Sequence, residues 1–562
     1  MIKKLFTFFV LFLLSFSISG QEALKSIEEE YYDFLSLTGV TERPTLGFRT
    51  LSDNLWTFND EVSSEEAETT NTHIWNNNNL GTTFILWEAS LPVENAFTRG
   101  INQAITVRIF GPEWFNSYNS DVPFGQNDGA LWQGRGYNTS LTAGVRFEGY
   151  GVEATFKPQV SWMQNREFEY ITPNYSGDIY KDKAEKYGYY GVRNIDAPQR
   201  FGPKSFFLFD FADSEIRYSW KTITLGFGTE SIWIGPAIIN PIIHSNNSAS
   251  YPKIDFGIRK TKITMPYFCW DLGYLEFRAW WGKLTESDWF DNDNLNNNNL
   301  ISGLSLYYQF PFINKLTIGI NRTMVSKFND IRGYTLFDIF VPFMEDKAGE
   351  DNSDGRASLI IDFLSVKIGL NIFFEWARND FQAVKDNFLR YPFHTQAWTF
   401  GFKKSFSFFN LLFGEISLEI TELGCSPDYG RTYKWYSTFY GHHKVTQGYT
   451  NKGQWLGAGI GTGGNSQYLG VSFYYPKGKV NVFINRMNPD LDYSWFINTY
   501  SQSTFAYGLE TYFSFGVNSV YFINDRFLIE ASINPIYILS PNSKFDTESW
   551  NFNSSITVKI IF

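Results

Sequence analysis

Hydrophobic and polar positions alternate along most of this chain, most cleanly at its end. In the last thirteen residues Trp550, Phe552, Ile556, Val558, Ile560 and Phe562 share one parity. Asn551, Asn553, Ser555, Thr557 and Lys559 hold the other. Period-two alternation puts the two sets on opposite faces of a β-strand. An apolar strand ending on an aromatic residue fits the last strand of a transmembrane barrel, where closure against the first strand removes the open edge. Taken alone, a buried strand of a β-sandwich gives the same pattern.

The alternation marks eighteen candidate strands, near 100–110, 136–148, 152–163, 213–220, 222–230, 254–264, 274–282, 301–310, 315–325, 356–362, 366–377, 396–405, 411–421, 467–475, 479–487, 505–515, 526–535 and 550–562. An even number suits a bacterial barrel. The clearest run puts Leu364, Val366, Ile368, Leu370, Ile372, Phe374 and Trp376 on one face. Short connections alternate with long ones. Gly149-Tyr150-Gly151, Pro476-Lys477-Gly478 and Asn524-Asp525 read as tight turns. Residues 111–135, 164–212, 231–253, 326–355, 378–395 and 422–466 read as long loops. Barrels keep short turns in the periplasm and long loops outside, so both termini are expected on the periplasmic side. The weakest joint is Lys221, where no Gly, Pro or Asn marks a turn. The expected fold is all-β: an antiparallel transmembrane β-barrel of about 18 strands over residues 99–562.

Residues 1–20 read as a secretory signal: Lys3 and Lys4, an apolar run from Leu5 to Phe16, then Ser17, Ser19 and Gly20, with cleavage expected after Gly20. Residues 21–98 do not read as barrel wall and suggest a small, partly helical periplasmic subdomain, in which Ile27, Tyr31, Leu35 and Leu37 fit a short amphipathic helix. Beyond residue 20 no stretch of eighteen apolar residues occurs, so no transmembrane helix is expected. Yet 19% of the chain is aromatic, an excess that interfacial girdles would use. A net charge of −11 argues against nucleic acid as a partner. Cys269 and Cys425 are the two cysteines; a disulfide and two unpaired thiols are equally compatible with the sequence. No Cys/His cluster has metal-ligand spacing, and no cofactor is expected.

Unusual local chemistry gathers in the long loops: residues 111–136, 195–202, 230–252, 375–381 with 391–398, and 440–464. Their Trp, Tyr, Asn, Gln, Asp and Gly content suits carbohydrate. Rings stack on the apolar faces of sugars, and amides or carboxylates make two-point hydrogen bonds to hydroxyls. Asn, Gly and Asp are also turn formers, but turns have no need of Trp and Gln. Glu375 and Asp380 with His394, or Glu230 with His244, can be read as acid/base pairs, but a glycosidase needs two carboxylates at fixed separation and the sequence supplies no such geometry. Adjacent His442 and His443 face opposite ways on a strand, and GTGGN at 461–465 precedes no helix, so neither metal nor phosphate binding is supported.

Four stretches, GPEWFNSYNSDVPFGQNDGALWQGRG, WIGPAIINPIIHSNNSASYPKIDFGIR, EWARND followed by a histidine, and QGYTNKGQWLGAGIG, resemble the Wzi family of outer-membrane capsule-assembly proteins. The resemblance spans residues 30–562. It implies an eighteen-stranded barrel whose helical amino-terminal part occludes the periplasmic end, with no enzyme activity. It implies a lectin-like role that attaches capsular or other surface polysaccharide to the cell. The competing readings are a porin or uptake channel and a barrel partner of a secretion or gliding apparatus. Outer-membrane lipid and the outer-membrane insertion machinery are the other expected partners, with the outer membrane of a Gram-negative bacterium as the location. Polar and aromatic positions inside the matching stretches are the expected polysaccharide contacts: Asn127, Asp128, Trp132, Trp233, His244, Asn247, Glu375, Asp380, Tyr449 and Gln454.

Overall fold

The computed structural model describes residues 27–49, 56–58, 85–90, 104–171, 195–265, 267–268, 270–291, 293–313, 315–331, 336, 338–340, 353–379, 395–408, 412–424, 439–442, 444–491 and 508–561. The expected signal, both cysteines, Asp380, His394, His443 and Phe562 lie outside the described residues.

Eighteen strands form a closed antiparallel barrel. They are β1 (Ala104–Asn119), β2 (Gly136–Gly149), β3 (Val152–Phe156 with Gln159–Met163), β4 (Phe206–Asp210 with Glu215–Trp220), β5 (Ile223–Gly228) and β6 (Lys253–Thr264). Next come β7 (Asp271–Thr285), β8 (Asn298–Gln309), β9 (Leu316–Lys327), β10 (Ser353–Ser365), β11 (Leu370–Asn379) and β12 (Gln396–Phe408). The last six are β13 (Leu412–Glu422), β14 (Asn465–Tyr475), β15 (Gly478–Asn488), β16 (Thr511–Asn524), β17 (Phe527–Leu539) and β18 (Glu548–Ile560). Each pairs with its successor, and β18 returns to β1 in a register from Asn553↔Asn119 to Lys559↔Glu113. β3 breaks at Pro158, which has no N–H to give to the ladder.

Side chains alternate as the barrel requires. Trp550, Phe552 and Ile556 point out and are exposed, while Asn551, Asn553, Thr557 and Lys559 point in and are buried. Phe227, Ile320, Val482 and Phe515 continue the apolar exterior, and Arg217, Asn321 and Glu419 the polar interior. The Lys221 joint is a tight turn, with the lysine itself in the left-handed region at φ 55°. Three expectations are corrected. The run from Leu364 to Trp376 is not one strand. A 3₁₀ turn at Val366–Ile368, closed by left-handed Gly369, separates β10 from β11. Leu364 consequently faces inward and is buried, whereas Ile372 and Phe374 face out. The loop expected at 111–135 begins later, because β1 continues to Asn119. β16 starts at Thr511 rather than near 505.

The helix α1 (Ile27–Thr38) lies inside the barrel at the short-turn end. Glu28, Glu29 and Glu30 in its first turn suit the positive end of the helix dipole. Its Tyr31, Phe34, Leu35 and Leu37 pack with Leu364, Tyr474, Val520 and Leu528 of the wall. Phe34 stacks on Tyr474 at 4.5 Å between centroids. The polar side of the helix is tied down by charge. Glu28 meets Lys559 at 3.2 Å, Glu29 meets Arg49 at 3.0 Å, and Glu30 pairs with Lys479. Asp33 sits between Arg43, at 2.8 Å, and Lys403. Arg43 reaches on to Asp362 at 3.4 Å.

One further strand, Ile85–Ser90, joins the sheet. It pairs with Ala104–Arg108 of β1, the part of that strand below the register of β18.

Candidate functional site

The loops at the other end fold down into the barrel and form their own core. Ile232, Ile234, Ile242 and Ile243 from one loop meet Tyr440, Tyr449, Leu456 and Ile460 from another, against Trp280, Tyr307 and Ile360 of the wall. Burying this much backbone requires partners for its N–H and C=O groups. Wall carboxylates supply some: Glu419 accepts from the N–H groups of Ile238, Ile239 and Asn240, the last at 2.8 Å. Glu276 does the same for Leu46 and Gly47.

Several residues expected to touch a ligand are part of this framework. Trp233 is buried and pairs through its backbone with Arg49. His244 is buried, with Nδ1 3.1 Å from the carbonyl of Ile232 and Nε2 2.6 Å from the Tyr251 hydroxyl. Burial, helped by the charge of Lys253, lowers its pKa to about 3, so the ring is neutral. The Tyr449 hydroxyl donates to the carbonyl of Ile243 at 2.9 Å, and the Arg356 guanidinium sits 4.2 Å from its ring centre. Glu375 is buried on β11, facing the inward loops. None of these four presents a face to the outside.

The remaining described candidates come together around two spaces. An outer cleft of about 200 Å³ is lined by Trp132, Asn247 and Gln454. It also takes in Phe124, Gln126, Gln199, Trp455, Glu510 and Tyr512, which the sequence reading did not single out. Trp132 stands 5.0 Å from Phe201 between ring centres. A methyl group on Gly134 would strike the indole at 2.4 Å, so this glycine lets the ring lie against the backbone. Asn247 stitches the site: its Oδ1 accepts from the N–H of Asn127 at 3.1 Å and its Nδ2 donates to the carbonyl of Trp455 at 3.2 Å.

Asn127 and Asp128 turn to the other side of the same loop. They face a chamber of about 590 Å³ whose floor includes Glu28 and Glu30 of α1. Its walls carry Asn481, Asn485, Asn518, Asn534 and Asn553. Gln126, Gln133 and Phe124 border both spaces and separate them. Burial pushes the Asp128 carboxyl up to about 7, against a 2.8 Å hydrogen bond from Gln133.

Glu230, once a catalytic candidate, belongs to a neutralised cluster. Glu215, Glu230 and Asp255 lie within 4.8 Å of one another. Arg217 lies 3.0 Å from Glu215 and 2.7 Å from Asp255, and Lys253 3.1 Å from Glu230. Arg278 adds a third cation at 3.2 Å from Asp255. The charges balance as side-chain ion pairs of the wall.

No protein-family model matches this chain, and no curated protein does. Among solved structures it is similar to Wzi of Escherichia coli, described as an outer-membrane protein involved in group 1 capsule assembly and a carbohydrate-binding β-barrel. The TM-score is 0.59 at 10% identity, covering 97% of this chain and 99% of Wzi. OccAB2 of Acinetobacter baumannii aligns over 83% of this chain and 99% of its own, with a TM-score of 0.38 and 10% identity. OpdQ of Pseudomonas aeruginosa aligns over 80% and 96%, with a TM-score of 0.37 and 10% identity. The closed barrel, with its apolar exterior, places this protein in the outer membrane with a Wzi-like fold.

Proposed function

We propose that this protein is a lectin-like, non-catalytic barrel that attaches capsular or other surface polysaccharide at its outer cleft. The observation that carries the reading is the cleft itself. Rings (Phe124, Trp132, Trp455 and Tyr512 among them) and amides (Gln126, Asn247 and Gln454 among them) from separate loops converge on one opening. Rings for the sugar plane and amides for its hydroxyls are the two chemistries a glycan requires. Wzi, with the same fold, is described as carbohydrate binding. Trp132, Asn247 and Gln454 are then contact residues. Asn127 and Asp128 hold the loop from the chamber side, and Trp233, His244, Tyr449 and Glu375 fix the loops beneath. The apolar exterior meets outer-membrane lipid, and the last strand is the segment the insertion machinery reads.

The polar chamber favours a second reading, a channel. It conducts only if α1 leaves the floor. Binding of purified full-length protein to the producing cell's own surface polysaccharide tests the first reading. Undiminished binding by a folded Trp132→Ala/Tyr512→Ala variant would sink it. Large steady currents from the intact protein would favour the channel.

A further inference from the structure

The lining of the outer cleft is biased in charge. Among the described residues that border it there is no Lys, Arg or His, and its charged side chains are Glu169, Asp490 and Glu510. Glu169 at the rim is paired with Lys544. Three described cations close in sequence to its lining are committed elsewhere. Arg135 donates to the carbonyls of Ser120 and Glu167, Arg200 to those of Asn165 and Pro203, and Lys452 pairs with Asp210.

Glu510 reports what a carboxylate meets here. It takes a 2.9 Å hydrogen bond from the Tyr512 hydroxyl, yet burial still pushes its pKa to about 7. A uronate or phosphate entering the cleft would meet the same desolvation and, in addition, the resident acids. Sites that select anionic groups do so with Arg or Lys, whose N–H forks match carboxylate and phosphate. Gln126 and Gln454 instead offer both a donor and an acceptor, which suits hydroxyl and acetamido groups.

We propose that the outer cleft takes uncharged stretches of glycan, built of hexose or N-acetylhexosamine units, and discriminates against uronate- and phosphate-bearing ones. This rests on the glycan reading of the cleft. A like charge within several ångströms in a partly desolvated site disfavours binding by roughly tenfold to a hundredfold.

The test uses full-length protein in detergent and the producing cell's surface polysaccharide, separated by anion exchange into uncharged and acidic pools. Part of the acidic pool is carboxyl-reduced, which turns each uronate into the neutral sugar and leaves the chain otherwise unchanged. Binding is measured at about 150 mM salt, where long-range attraction is screened. The expected result is at least tenfold tighter binding of the reduced pool than of its untreated parent, with the uncharged pool bound as well. Glu510→Gln with Asp490→Asn should narrow that gap. The comparison of reduced with untreated polymer needs no variant, so it stands if the substitutions misfold. Equal or tighter binding of the untreated acidic pool overturns the inference and leaves the glycan reading intact. Failure to bind any of the three pools removes the glycan reading, and this inference with it.

Discussion

Replacing Asp33 by asparagine should make a silent barrel leak. The carboxylate lies between Arg43, at 2.8 Å, and Lys403, and all three side chains are buried or nearly so. Removing one partner of a buried pair costs about 3–5 kcal/mol, because the cations stay behind without compensation. The apolar side of α1 opposes release. Tyr31, Tyr32, Phe34, Leu35 and Leu37 are all buried, and at roughly 2 kcal/mol each they hold the helix with about 10 kcal/mol as an upper bound. The helix therefore stays docked most of the time in Asp33→Asn. Its undocked fraction rises by about a hundredfold to several thousandfold, since each 1.4 kcal/mol is a factor of ten. In planar bilayers the unaltered protein should be quiet, with rare openings, and the variant should open at least about a hundred times more often at the same amplitude. Unchanged opening frequency in a variant that keeps heat-modifiable mobility on gels would refute the reasoning, as would steady current from the unaltered protein. The pH response has a definite sign. Burial alone would raise the Asp33 pKa, but Arg43, Lys403 and Arg49 hold it well below the ordinary 3.8. Its contribution to docking is complete above that ordinary value and is lost only as pH falls through the lower folded one. Acidification from about pH 7 to 5 should leave the Asp33 contact intact.

Trp132→Ala with Tyr512→Ala should reduce polysaccharide retention about twentyfold to thirtyfold if each ring contributes ~1 kcal/mol, while the barrel stays folded; sedimentation of cell-bound glycan measures it. Tyr449→Phe deprives the Ile243 carbonyl and Thr323 of their hydroxyl partner, and should loosen the 440–464 loop by about 1–2 kcal/mol, seen as faster limited proteolysis. His244 has a folded pKa of about 3 against an ordinary 6.5, so the unfolded loop takes up the proton first. Its stabilising effect is whole above the ordinary value and declines as pH falls toward about 3. Protease resistance of the 229–252 loop should follow that course, and His244→Gln should flatten it. Deleting residues 553–562 removes the partner of Glu113–Asn119 and should abolish surface accumulation, since unpaired backbone in hydrocarbon costs several kcal/mol per group; normal levels by surface labelling would count against it.

The wall was legible in the sequence because it obeys a local rule. β18 has its boundaries within two residues of the alternation, and the Lys221 turn lies where parity demanded one even without a turn-forming residue. Local rules failed where two short effects cancelled. The residues between Leu364 and Ile372 include a four-residue turn, 366–369, and apolar side chains there kept the alternation going while the chain reversed. The site was harder to read. Tyr449 and Gln454 lie five residues apart in one loop, yet one is sealed under Arg356 and the other lines the cleft. Composition assigns both to sugar binding; only the tertiary path of the loop separates them. Glu510 and Tyr512 carried no signal at all, because nothing local marks the upper end of a strand as part of a binding site.

The seam of the barrel has two closers. β18 covers the upper part of β1, and Ile85–Ser90 covers Ala104–Arg108 below it. The segment that precedes the barrel is therefore a structural strand of it, and the protein cannot be trimmed to its wall. A chain cut before β1 would show a bare edge of N–H and C=O groups at its short-turn rim, the template on which other strands add. Such a fragment should assemble edge to edge with copies of itself, and any pore it forms would report that association as much as the loss of α1.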